Sequence, residues 1–259
     1  MERVALLLAA LCYFFSFGQT LFALGAGRFQ PGRFNFAAMV LGAAAQGWYL
    51  SLQGARLHAC PIGTLPEILI FLGWSIALIY LVIGPTYRLS LMGAFTAPLV
   101  LFLQLVAIVL PEESFRPPHP PNPWVEAHAA LSLVAYGAFG LACIAGLMFL
   151  VQESELKSRR PARIFHYLPP INILSQAIQR LLWTGVVLLT VGFAAGWHAH
   201  LPIAGAKFWF SLVIWLLYAA LLLGAKNGVL SARRKAFGAA GTFFVILLLL
   251  PVIQHLSSR

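Results

Sequence analysis

The chain alternates long apolar stretches with short polar ones, a pattern that is typical of a helical membrane protein. A helix needs about 20 predominantly apolar residues to cross the hydrocarbon core of a bilayer. Eight stretches meet this length, at 4–25, 35–55, 66–84, 90–110, 124–151, 181–200, 206–225 and 237–256. The pattern predicts an all-α, polytopic membrane protein with about eight transmembrane helices.

A polar segment between the fifth and sixth spans has a helical periodicity of its own. It follows Pro169 and Pro170 and reads INILSQAIQRLL, with apolar residues at helical spacing. Such a segment predicts either a short amphipathic helix lying in the membrane interface or a polar beginning of helix six. The pattern alone leaves both alternatives open.

Basic residues are distributed unevenly along the chain. Twelve of the seventeen Lys and Arg residues lie in alternate connecting segments, at 26–34, 85–89, 152–180 and 226–236. Positively charged loops stay in the cytoplasm, so these segments are predicted inside and both chain termini outside. The formal net charge of +10 therefore indicates orientation and not nucleic-acid binding.

Composition limits the possible classes of protein further. Apolar residues make up 61% of the chain and charged residues 9%, which leaves too little polar surface to cover a soluble globule. We interpret residues 1–259 as a single membrane domain, with the first apolar segment retained as a helix. The three cysteines form no Cys-x-x-Cys motif, and aspartate, a Walker loop and Gly-x-Ser-x-Gly are absent. The chain therefore lacks the sequence motifs of thiol redox chemistry, phosphoryl transfer and triad hydrolysis.

Histidines concentrate at one face of the predicted membrane domain. An imidazole at the mouth of a helical bundle is costly unless it has a partner, and neutral imidazole is a common metal ligand. Only His166 falls on the inner side. The six at or near the outer face are His58, His119, His128, His198, His200 and His255. This clustering indicates a functional site at the outer face.

His128 has the most informative surroundings of the six. It lies one turn into predicted helix five, and Ser132 and Tyr136 follow at intervals of four residues, on the same helix face. Such a stripe suits the edge of a porphyrin or a polar seam between helices, and both interpretations stay open. His58 and His255 end their helices, where an imidazole also commonly reaches water.

His198 and His200 are separated by one residue. In a helix they would point about 200° apart, so they face one ligand only where the chain has left helical geometry. His119 lies in the proline-rich outer segment 111–123, which is predicted to be an extended connector.

The order of these residues resembles the cytochrome c assembly proteins, a group that includes the CcsA, CcmC and HemX-like membrane proteins that handle haem. The resemblance covers most of the chain from about residue 40. It is carried by the stretch from His58 to Trp74, by Trp124 to Phe139 with its Trp-x-x-x-His pattern, and by the histidine in Gln254-His255-Leu-Ser-Ser. The segment Arg163-Ile-Phe-His-Tyr-Leu-Pro-Pro-Ile resembles the short inner-membrane branch of the group.

The resemblance implies a protein of the bacterial inner (plasma) membrane that binds or passes haem without catalysing a reaction. Its expected partners are the lipid bilayer, haem and other cytochrome assembly proteins. The resemblance favours His128 and His255 as the axial ligands of a haem b at the outer face, with His58 or His198 as substitutes. The candidate haem-binding residues are His128, His255, His58, His198, Trp124, Tyr136 and Arg56.

Two features depart from the family pattern. Haem-exporting members have a tryptophan-rich outer loop ending in Trp-Asp, whereas residues 192–202 contain only Trp197 and no Asp. Members with an intramembrane haem place a histidine near the inner end of the penultimate helix, where this chain has Gly224-Ala-Lys-Asn227. An inner bis-histidine site that includes His58 therefore lacks its second ligand.

Other classes of function stay open at this point. The aromatic residues at the outer face also serve as ordinary interfacial anchors. A haem-free membrane scaffold or regulatory subunit with the same fold is the first alternative. A small-molecule or ion transporter is the second, although ionisable residues at the bilayer midplane would be expected for it.

Overall fold

The computed structural model describes residues 2–25, 33–86, 90–111, 122–157, 168–200, 206–226 and 230–257. Within these ranges the chain forms eight α-helices and no strand. They are α1 (Glu2–Gly25), α2 (Arg33–Leu57), α3 (Leu65–Thr86), α4 (Ser90–Val109), α5 (Pro123–Lys157), α6 (Ile171–His198), α7 (Ala206–Lys226) and α8 (Ala232–Ser257). Each predicted apolar stretch lies in one of these helices, apart from at most two residues at an end, which confirms the all-α fold class.

Seven of the eight described helices are long and apolar enough to cross a membrane, and α2 is the exception. Its mean hydropathy is lowered by polar residues such as Asn35 and Gln46, which are turned toward neighbouring helices. Gln46 accepts a hydrogen bond from the Tyr13 hydroxyl at 2.8 Å and donates one to the Ile70 carbonyl at 2.9 Å. Hydropathy alone therefore underestimates α2 because its polar groups are satisfied inside the bundle.

Helix α2 runs antiparallel to α1 along most of its length. Polar contacts connect the two helices at three levels, from the end of α2 to its beginning: Arg56 with Glu2, Gln46 with Tyr13, and Asn35 with Thr20 and Ser16. Because α2 lies alongside α1 over this length, α2 crosses the same thickness of membrane as α1.

Helix α5 lies at the centre of the bundle and packs against α3, α6 and α8. Of its most apolar stretch, 78% of the residues are buried inside the protein, against 22% for α7, which therefore lies at the periphery. With 35 residues, α5 is about 52 Å long and exceeds the hydrocarbon thickness. Its last turns contain Glu153, Glu155 and Lys157, so this charged end is the one expected to extend beyond the apolar core.

Glycines let α5 approach its neighbours closely. A Cβ added at Gly137 would lie 2.8 Å from the Ser75 Cβ and 3.1 Å from the Ile76 nitrogen, both in α3. A Cβ added at Gly146 would lie 2.8 Å from the Ala236 carbonyl oxygen in α8. Backbone atoms of a neighbouring helix cannot yield as a side chain does, so these positions fix how near α3 and α8 pack.

The segment that left two alternatives open is the beginning of α6. Helix α6 is continuous from Ile171 to His198, so residues 171–180 form its first turns and not a separate interfacial helix. Their polar side chains have a partner in α8: the buried Lys235 ammonium donates to the Ser175 carbonyl, the Ser175 hydroxyl and the Gln179 side chain at 3.2 to 3.3 Å. This partner explains the polar composition of the segment.

Candidate functional site

The candidate site lies where α5 begins and α6 ends, at the predicted outer end of the bundle. Asn122 starts α5: its side-chain oxygen accepts the Trp124 amide at 3.0 Å, and its carbonyl accepts the amides of Val125 and Glu126. These contacts satisfy donors that the first helical turn leaves open. His128 follows one turn later and is half-buried against α6.

A hydrogen bond to α6 fixes the imidazole of His128. Its Nδ1 lies 2.7 Å from the carbonyl oxygen of Gly192. Because a carbonyl oxygen only accepts, Nδ1 is the donor, and a neutral ring then keeps its lone pair on Nε2. Neutral imidazole with one nitrogen held by a backbone carbonyl is the usual state of a histidine that ligates a metal.

The next glycine of α6 determines which way this ring faces. A Cβ added at Gly196 would lie 2.8 Å from Nδ1 of His128 and 3.3 Å from Cγ and Cε1. The three nearest ring atoms are thus Nδ1 and its two neighbours. Nε2 is therefore on the far edge of the ring and points away from α6.

The residues predicted to share a stripe with His128 have separate partners. The Ser132 hydroxyl donates to the His128 carbonyl at 2.7 Å, one turn back along its own helix. The buried Tyr136 hydroxyl lies 3.2 Å from the Ser211 hydroxyl of α7. The structure thus places Tyr136 in a polar seam between helices α5 and α7, one of the two arrangements that the spacing left open.

His198, at the end of α6, contacts the beginning of α5. Its ring stacks on the Trp124 indole, with centroids 4.7 Å apart and planes 9° from parallel. Helix α6 ends at His198, and His200 has a left-handed φ of 52°. The chain therefore no longer follows α-helical geometry at this point. The stack lies over the contact between α5 and α6. It is one helical turn closer to the predicted outer end than His128, because Trp124 precedes His128 by four residues.

Aromatic rings continue from His128 toward α7. The Phe193 ring centroid lies 6.4 Å from that of His128, and Phe193 packs edge to face with Phe208 at 6.2 Å. Phe208 in turn packs edge to face with Trp209 at 5.8 Å. Edge-to-face packing of this kind gives an apolar wall beside the imidazole.

The loop after α2 lies beside the beginning of α5. Burial raises the pKa of the Cys60 thiol to about 11, and the nearby carboxylates of Glu126 and Glu67 contribute smaller increases. The influence of Glu126 indicates that this loop and the first turn of α5 are neighbours. His58 enters the loop with a left-handed φ of 52° and an exposed side chain. Arg56 is mostly exposed and pairs with Glu2 at 3.2 Å.

The remaining predicted ligand, His255, lies in the last turn of α8, and its side chain is outside the described residues. Helices α5 and α8 are antiparallel: Gly140 faces Phe243, and Gly146, six residues further on, faces Ala236, seven residues back. By residue count alone, a continuation of this register past Pro251 would put His255 level with His128. His119 and His166 also lie outside the described residues, as do residues 112–121 of the predicted connector 111–123.

Among the described residues, no three His, Cys, Asp or Glu side chains come together as a site for a free metal ion. A haem needs fewer protein ligands, because the porphyrin occupies four positions of the iron and leaves two axial ones. The imidazole of His128, with Nε2 directed away from α6 and an aromatic wall beside it, fits one axial position.

An all-helical bundle of membrane-crossing helices, with a fixed imidazole at one end, defines a polytopic membrane protein with a histidine site. The sequence profile described as Cytochrome C assembly protein matches residues 62–256, about three quarters of the chain. The chain therefore belongs to the cytochrome c assembly protein family, and the resemblance inferred from its motifs is confirmed.

Three relatives illustrate the range of similarity. HemX of Brevibacillus brevis is 28% identical over 182 residues, covering 69% of this chain and 66% of HemX. The cytochrome c biogenesis protein CcsA of a Synechococcus strain is 26% identical over 253 residues and covers 72% of each chain. An uncharacterized 28.8 kDa protein of Azospirillum brasilense is 33% identical over 76 residues, 29% of this chain and 28% of that protein.

Sequence reasoning missed two glycines of the site. Gly192 supplies the carbonyl that holds His128, and Gly196 supplies the space for its ring. Gly185, Gly192 and Gly196 are separated by seven and four residues, a spacing that puts them on one face of a helix. That spacing is the signal in the sequence that would have indicated close packing against α6.

Proposed function

We propose that this protein binds haem at the outer end of the bundle, among α5, α6, α7 and α8, and serves cytochrome c assembly or a related haem process. The observation that carries the proposal is the state of His128. Its Nδ1 is held by the Gly192 carbonyl at 2.7 Å, and its Nε2 points away from α6. Membership of the cytochrome c assembly family and the aromatic wall beside the ring support the same ligand.

The proposed axial ligands are His128 and His255. The antiparallel register of α5 and α8 supports this pair, because its continuation would put both residues at the same height in the bundle. His198, whose ring stacks on Trp124 at the end of α6, is a substitute ligand. His58 is a substitute from the loop beside α5.

The protein's own residues would hold the cofactor through an apolar aromatic surface and two axial imidazole ligands. Haem b, bound without covalent attachment, supplies a flat apolar ring, a redox-active iron and two propionates. Phe193, Phe208 and Trp209 offer an apolar wall to the ring, and Trp124 closes the seam above His128. Arg56 is proposed to pair with a propionate; its exposed contact with Glu2 costs little to break.

The proposed role is binding and transfer, so we assign no catalytic residue. The absorption spectrum of the purified protein, reconstituted with haem, tests this role. Two axial imidazoles predict a low-spin spectrum with a sharp Soret band and resolved α and β bands after reduction. A well-folded protein that takes up no haem would contradict the proposal and favour the haem-free scaffold, or regulatory subunit, as its function.

We further propose that the protein resides in the bacterial inner membrane, with both termini and the site outside. Impermeant maleimide is expected to label Asn122→Cys in intact cells and to miss Ser231→Cys, because the basic residues adjoining Ser231 stay in the cytoplasm. Both positions are exposed. Cys60 is a poor probe, since its raised pKa keeps the reactive thiolate scarce at neutral pH.

The labelling is best done with Cys60 replaced by serine, so that only the introduced thiol lies outside the helices. Permeabilised cells serve as the control, because both variants should then react. Labelling of Ser231→Cys but not of Asn122→Cys in intact cells would invert the protein and exclude a site at the outer face.

A further inference from the structure

We propose that Gly196 is a positioning residue for His128, one that holds its ring as the tautomer with the proton on Nδ1 and the lone pair on Nε2. The proposal rests on the proposed function only in naming iron as the partner of Nε2. The positioning itself concerns α5 and α6 in the protein without haem.

The contact between Gly196 and the ring leaves no space for a Cβ while the ring stays where it is. A Cβ at this position would lie 2.8 Å from Nδ1, a separation that real Cβ atoms essentially never show. The Nδ1 of the ring is held at 2.7 Å from the Gly192 oxygen, so a shift of the ring comes at the expense of this hydrogen bond. A methyl group at position 196 is therefore expected to displace Nδ1 and weaken the hydrogen bond.

Weakening of this hydrogen bond changes the chemistry of the ring. Apart from the carbonyl, nothing in the described contacts of His128 favours the proton on Nδ1. The proton then moves to Nε2 in a share of the molecules, and the lone pair required by iron is lost in that share. Gly196 is thus expected to act on the ligand through His128 and not by contacting haem.

The alternative role of Gly196 is plain helix packing, and α6 offers a matched control for it. A Cβ added at Gly185 would clash with the Phe139 ring, so Gly185→Ala also disturbs the α5–α6 seam, eleven residues away from Gly196. Gly18 has nothing within 4 Å of an added Cβ, so Gly18→Ala serves as the neutral control.

Nitrogen NMR of the haem-free protein with isotope-labelled histidine tests the tautomer directly, with His128→Gln to assign the signals. In the wild type we expect His128 to show a protonated Nδ1 and a bare Nε2. This signature is expected to weaken in Gly196→Ala, as a form protonated on Nε2 appears, and to persist unchanged in Gly185→Ala and Gly18→Ala. A wild type without the signature, or Gly196→Ala with it intact, would overturn the proposal. Where Gly196→Ala does not accumulate, the wild-type signature alone tests the tautomer.

Haem titration gives the second measurement. Gly196→Ala is expected to lower haem affinity about 10–100-fold, the usual cost of losing a group that orients a metal ligand. Gly185→Ala is expected to lower the melting temperature but to leave haem affinity within about threefold of wild type, since the His128 hydrogen bond stays intact. An unchanged affinity in Gly196→Ala despite a weakened signature would overturn the link to iron. A wild type that shows the tautomer but binds no haem would refute the proposed function and leave the positioning role standing.

Discussion

In the His128→Ala variant we expect bound haem per protein to fall at least about tenfold. Loss of a group that merely orients a metal ligand already costs about 10–100-fold in metal affinity, and this substitution removes the ligand itself. The remaining iron would have one axial imidazole, so its spectrum should shift from low-spin toward high-spin. Haem content is measured by extraction and the coordination state by absorption spectroscopy.

The same measurement distinguishes the second ligand. His255→Ala is expected to lower haem content less than His128→Ala, because His255 lies at a helix end near the chain terminus. The double variant should lose little more than His128→Ala, since either change breaks the same site. His119→Ala and His166→Ala serve as controls and should leave the spectrum unchanged. A full, unshifted spectrum in the double variant, together with its loss in His58→Ala or His198→Ala, would show that the ligands are different.

Gly137→Ala is expected to destabilise the bundle by about 1–3 kcal/mol, the usual cost of an extra methyl group in a packed interior. The methyl would lie 2.8 Å from the Ser75 Cβ and 2.9 Å from the Ser75 carbonyl carbon. These atoms belong to the backbone of α3 or are attached to it, so relief requires α3 and α5 to separate. Gly137→Leu should prevent the protein from accumulating in the membrane.

Thermal unfolding in detergent, followed by the loss of the monodisperse chromatographic peak, measures this effect. Gly18→Ala and Gly241→Ala are the matched controls, because an added Cβ at either position has nothing within 4 Å. A melting temperature for Gly137→Ala equal to that of the controls would mean that α3 and α5 are not packed as closely as described.

The fold could be predicted from the sequence to a large extent because crossing a membrane is a local requirement. The energy of placing about 20 residues in hydrocarbon is a sum over those residues, so hydropathy finds the spans without knowledge of their neighbours. All eight stretches found in this way are helices in the described ranges, and seven of these helices are apolar enough to cross a membrane by length and composition alone. For α2 the summed transfer energy is less favourable. Hydrogen bonds inside the bundle compensate for this, because Gln46 is bonded to Tyr13 and to the Ile70 carbonyl.

The beginning of α6 shows the limit of periodicity. An amphipathic segment presents the same pattern whether its polar side faces lipid headgroups or another helix. The partner that decides between them, Lys235, lies 60 residues away from Ser175 in the sequence. Only the packing of α6 against α8 could show that the polar side faces inward.

The candidate site, too, could be predicted only in part from the sequence. The sequence by itself determined an α-helical membrane protein of the cytochrome c assembly family, with His128 one turn into a helix and most histidines near one predicted face. Only the tertiary structure decided that Gly192 and Gly196 hold the His128 ring and that Trp124 stacks on His198. The reason is physical: residue types fix which segments enter the membrane, whereas the rotation and register of each helix come from packing between segments distant in the chain.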